Sequence, residues 1–227
     1  MKNKGKVLAL TLSAAALVAA SVFGTMAYLT DADTVTNTFT VGKVGLTLDE
    51  AIVNTAGQPL KDNEVVEKVE DADRTNETKA GNAYHLLPGH TYVKDPTVTI
   101  DANSEESYVR MMVEVTFIDS LTDAELATSL DTIFTGYDST KWIRSDKTVS
   151  EDKKVINYEY RYFKTVDGTA EELEPLFTAI TVPGEYDNEQ IAFLQDMRIV
   201  INAHAIQADG FADADTAWTA FGEQINN

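Results

Sequence analysis

Between Ser107 and Ile118 apolar side chains return at every second position: Val109, Met111, Val113, Val115 and Phe117. Arg110, Glu114 and Thr116 occupy the positions between them. Successive side chains of a strand point to opposite faces, so this run reads as a long antiparallel strand with one face buried. The pattern recurs elsewhere. Val44, Leu46 and Leu48 alternate with Gly45, Thr47 and Asp49. In residues 154–163 Ile156, Tyr158, Tyr160 and Tyr162 share one face, and Glu159 and Arg161 the other. In residues 197–208 Ile199, Ile201, Ala203 and Ala205 share a face. Shorter runs at 97–100, 141–143 and 176–182 complete the set, with turns at Pro88-Gly89, Asp167-Gly168 and Pro183-Gly184 between them. Many short alternating strands separated by turns predict an all-β chain, an antiparallel β-sandwich.

Two or three short helices interrupt the strands. Thr122 and Glu125 form a capping box, with Leu121 and Leu126 as its staple. Leu126, Leu130, Ile133 and Phe134 then make an apolar stripe that Gly136 ends. Asp187 and Gln190 repeat the box, and Ala214, Ala217, Trp218 and Phe221 form a stripe that Gly222 stops. Residues 51–81 are polar and acid-rich and read as a solvated loop, with a helical turn from Asn63 to Val69.

The N-terminal end has a separate logic. Lys2, Lys4 and Lys6 precede an uncharged, alanine-rich run over residues 7–23, and Gly24-Thr25-Met26-Ala27 follows. About 20 apolar residues suffice to span a bilayer, so a retained anchor is one reading. The alanine-rich core and the break at Gly24-Thr25 favour a secretory leader cut after Ala27, leaving Tyr28 first. The chain then divides into a leader (1–27), an extended threonine-rich segment (28–43) and a single domain (44–227) containing the 51–81 loop.

Three stretches resemble the TasA/camelysin family of proteins exported by Gram-positive bacteria. Gly24-Thr25-Met26-Ala27-Tyr28-Leu29-Thr30-Asp31 with Asn37-Thr38-Phe39-Thr40-Val41-Gly42 is similar to its export signature, although Met26 stands where tryptophan is common. Leu87-Pro88-Gly89, Lys94-Asp95 and Tyr108-Val109-Arg110 with Glu114-Val115 resemble the block before its first long strand. Residues 203–211 resemble its closing strand. The resemblance implies a jelly-roll fold, a dedicated signal peptidase as processing partner, and a fibre-forming structural role in the biofilm matrix or at the cell surface. Related matrix proteins would be partners. It also brings an alternative, because the camelysin branch carries a metalloprotease label.

The residues set limits on both. A formal net charge of −19 opposes nucleic acid and anionic lipid. With no cysteine there is no disulfide, thiolate zinc site or cysteine nucleophile. No nucleophile elbow, zinc helix motif or phosphate loop is present, and no motif calls for a cofactor. A protease would have to draw its zinc ligands from His85, His90 and His204, which lack helical spacing. The acid pairs Asp31/Asp33, Asp71/Asp73 and Asp213/Asp215 do not continue into a calcium loop. Tyr158, Tyr160 and Tyr162 form either a sugar-binding platform or cross-strand packing, of which packing is the commoner use. For assembly, the extended segment could lie along a neighbouring molecule's sheet, with Phe39 and Val41 as the main anchors and Leu29 and Val35 as secondary ones. It could equally form the first strand of its own domain.

Overall fold

The computed structural model describes residues 30–32, 43–75, 81–128, 132–169, 171–187 and 191–225. Its first six strands are β1 (Thr30–Ala32), β2 (Leu46–Asp49), β3 (Leu60–Lys61), β4 (Glu64–Val65), β5 (Thr91–Val93) and β6 (Thr97–Ile100). They are followed by β7 (Ser107–Thr116), β8 (Phe134–Thr135), β9 (Trp142–Val149), β10 (Val155–Tyr162), β11 (Ala179–Thr181) and β12 (Arg198–Gln207). Helices α1 (Asp123–Thr128) and α2 (Ala214–Ile225) accompany them. The fold is all-β, and every strand pairing is antiparallel.

The largest sheet has the order β1-β12-β7-β10-β9. β7 lies at its centre, and its alternation is expressed in full: Val109, Met111, Val113 and Val115 are each at most 1% exposed. β12 runs beside it from Arg198 opposite Thr116 to Gln207 opposite Ser107. On β10, Ile156, Tyr158, Tyr160 and Tyr162 face the same interior and are buried. The tyrosine ladder is therefore core packing, with no exposed platform to offer a sugar.

A second layer covers that face. β2 pairs with β6, and β11 pairs with β5 and β8. Pro96 separates β5 from β6, and a proline cannot donate to a ladder, so one long strand is broken in two. Residues 171–182 run along both halves. The bonds are Ile100 N–H to Glu171 C=O (3.0 Å), Leu173 to Val98 (2.8 Å), Leu176 to Pro96 (3.0 Å) and Lys94 to Thr178 (3.1 Å). The two layers share one apolar core. Leu46, Val98, Ile100, Leu173, Leu176 and Phe177 from the second layer meet Met111, Val113, Trp142, Tyr158 and Ala203 from the first.

Several expectations need correction. Residues 51–75 are more than a solvated loop: Ala51 and Val53 are buried, and the segment carries a hairpin, β3–β4. Asp62 and Asn63 at its tip have φ of 51° and 68°, the left-handed pair that a two-residue hairpin turn demands. The helical turn falls at Val69–Asp71 as a 3-10 turn, later than expected. The capping box at Thr122 forms, with Glu125 N–H on the Thr122 hydroxyl at 3.2 Å. Phe134, however, is in β8, because its edge pairing with β11 overrides the helical spacing. Gly222 does not stop α2, which continues to Ile225 because the helix lies on the sheet through the stripe Ala217, Trp218 and Phe221.

Candidate functional site

The edge of the five-stranded sheet at β12 draws together the chain's most telling features. β1 lies on it, with Thr30, Asp31 and Ala32 opposite Ile206, Ala205 and His204. These three residues belong to the extended segment after the expected cleavage point, and here they pair with the chain's own β12. Ala27, Tyr28, Leu29, Val35, Phe39 and Val41 lie outside the described residues.

One transverse row crosses four strands: Ala32, His204, Arg110 and Arg161. Arg110 and Arg161 sit directly opposite each other, which like charges disfavour. Glu159 resolves the conflict by accepting from Arg110 at 3.1 Å and from Arg161 at 2.6 Å. Asp215 of α2 takes the other side of Arg161. α2 roofs the row. The Arg110 guanidinium lies 4.3 Å from the Trp218 ring centre and 5.0 Å from that of Phe221, within cation–π range. The His204 ring packs on Phe221 at 4.8 Å. Asp213 caps the helix by accepting the Thr216 N–H at 2.8 Å.

The electrostatics follow from this burial. The Arg110 Nε–H donates to His204 Nδ1 at 3.2 Å, so His204 is neutral with its proton on Nε2. Burial, reinforced by the Arg110 charge, pushes the imidazole down to about 4. Burial alone would raise the Glu159 carboxyl, but bonds from Arg161 and Ser145, with the two arginine charges, hold it below its ordinary value. Burial lowers Arg110, and the Glu159 charge partly offsets this.

The zinc reading finds no support in this geometry. His204 is on the outer face of the large sheet under α2, whereas His90 stands exposed in the Pro88-Gly89 turn beside Tyr92. The backbone of His85 bonds to Thr55 and to the Tyr92 hydroxyl. Among the described residues no three metal-ligating side chains come together. No helix among them is long and apolar enough to cross a membrane.

The opposite edge, β9, is built differently. Its pairing with β10 shifts register between Glu159 and Tyr160, leaving Ser145 as an extra residue. Arg144, Asp146 and Lys147 lie around that bulge. A bulge and inward-lying charge are the devices by which sheet edges avoid further pairing. The arginine row was hidden from sequence reasoning. Arg110, Glu159 and Arg161 each looked like an ordinary polar-face residue, and only the apolar stripe of α2 signalled that something would cover them.

The chain matches no protein-family model, no curated protein and no solved structure.

Proposed function

We propose that the protein is an exported structural component of the cell surface or biofilm matrix, polymerising head to tail by donation of its N-terminal strand. The two layers are read as a jelly-roll sandwich. Residues 1–27 act as a leader that signal peptidase removes after Ala27. Partners are further copies of the chain and related matrix proteins.

The observation that carries this reading is β1. Only three register pairs hold Thr30–Ala32 to β12 among the described residues. The same three residues of a second copy would make the same hydrogen bonds, so exchange from cis to trans changes little in the ladder. A strand passed from each molecule to the next is a heterologous contact that need not close, and it therefore yields filaments. The charged, bulged β9 edge directs growth to β12.

The test begins with electron microscopy of the chain starting at Tyr28 and of one starting at Lys43. Filaments from the first alone support strand donation. The absence of cysteine allows a second readout, the pair Asp31→Cys and Ala205→Cys. Oxidation of assembled protein should give covalent ladders on a denaturing gel. Filaments containing only intramolecular disulfides would refute donation through β1.

A further inference from the structure

We propose that Lys94 and Asn82 become joined by an intramolecular isopeptide bond, with Glu50 as the proton-transfer group. This bond depends neither on fibre formation nor on the β12 edge.

Glu50 directly follows β2, Lys94 directly follows β5, and Asn82 lies in the segment that passes between them. The Lys94 and Glu50 side chains are 8% and 13% exposed. The Lys94 ammonium donates to Glu50 Oε2. Asn82 Nδ2 donates to the other oxygen, Glu50 Oε1, at 3.1 Å and to the Ala51 carbonyl at 2.8 Å. The Val53 N–H donates to Asn82 Oδ1 at 3.0 Å. These contacts fix which way round the amide lies: its oxygen meets a donor and its nitrogen meets two acceptors. A single carboxylate thus holds an amine on one oxygen and an amide nitrogen on the other.

The neighbours restrict the alternatives. Asp95, the other buried carboxylate nearby, is committed to the Ala51 N–H at 2.8 Å and to Arg74. The Tyr84 hydroxyl donates to the Val93 carbonyl at 3.1 Å, and its ring stands edge-on to Tyr92 at 6.1 Å, helping to close the site. Burial, and after it the Glu50 charge, raises the Tyr84 phenol.

The chemistry balances without an oxidant or a cofactor. Glu50 takes a proton from the Lys94 ammonium, and the neutral Nζ attacks Asn82 Cγ. Negative charge then develops on Oδ1, where the Val53 N–H already points. Glu50 returns the proton to Nδ2, the Cγ–Nδ2 bond breaks, and the Nζ–Cγ amide remains. The two protons shed by Lys94 leave with the amide NH2 as ammonium. Fixing both partners in a shielded site replaces a bimolecular encounter by an intramolecular one, which is worth many orders of magnitude in rate.

The experiment is mass spectrometry of the tryptic digest of the full-length chain. Lys94 and Arg110 are the trypsin sites that follow Lys79. A crosslinked Lys94 resists cleavage, so residues 80–110 should emerge as one peptide, lighter than its sequence by about 17 Da, the mass of ammonia. Glu50→Gln and Lys94→Arg should each restore full mass and cleavage at position 94. A wild-type chain of full mass overturns the proposal, whether or not the variants fold. A deficit of about 17 Da in a peptide still cut at Lys94 also overturns it, because that marks a cyclic imide at Asn82. Crosslinking that persists in Glu50→Gln removes Glu50 from the role assigned here.

Discussion

At the scale of single residues, His204 links pH to stability. Its folded value of about 4 lies below the ordinary 6.5, so between those values the unfolded chain binds more protons than the folded one. Stability from this residue is complete above 6.5 and is lost as the pH falls toward 4. The loss is on the order of 2 kcal/mol after allowance for partial exposure. His204→Asn keeps an acceptor for Arg110 but cannot titrate. Urea unfolding midpoints of this variant should vary less between pH 6.5 and 4 than those of the unaltered chain. Phe177 tests the core. It is 2% exposed and stacks on Phe134 with ring centres 4.3 Å apart. Phe177→Ala should cost about 3–5 kcal/mol in the same assay.

At the scale of elements, Arg74 fastens the 51–75 segment to the second layer. It bonds Asp49, the last residue of β2, at 2.7 Å, and it bonds Asp95, whose side chain is only 9% exposed. Arg74→Met would leave Asp95 buried with the Ala51 N–H as its remaining partner. A loss of about 3 kcal/mol is expected. Limited proteolysis should cut first within residues 51–75. This segment also shows where the sequence stops being legible. The strands around Met111, Tyr158 and Ala203 were readable because burial on one face imposes a period of two. The Thr122 cap was readable because its partner, Glu125, is local. Arg74, Asp49 and Asp95 are far apart in sequence, and Arg74 sits in a stretch that reads as a solvated loop. Nothing local says that Asp95 is buried or that Phe134 joins a sheet instead of a helix. The Ala32, His204, Arg110, Arg161 row likewise depends on the register of four strands, which no single segment encodes.

At the scale of the whole molecule, the large sheet has one edge taken by β1 and one guarded by β9. Two substitutions, Asp146→Val and Lys147→Val, would flatten the guarded edge between the exposed Ile143 and Val149. Light scattering should then rise with concentration even in a chain that starts at Lys43, because the new contact does not need β1. The antiparallel sense of β1 on β12 has a mechanical consequence. Thr30 lies beside Ile206, so the first residue of β1 and the last residues of β12 stand at the same end of the pair. Tension between them would open the hydrogen bonds one at a time, as in a zipper. A strand lent to a neighbour is loaded otherwise. Its own domain pulls from the Ala32 end, along the strand, and all the bonds bear the force together. The same three residues would be a weak latch within one molecule and a strong rivet between two.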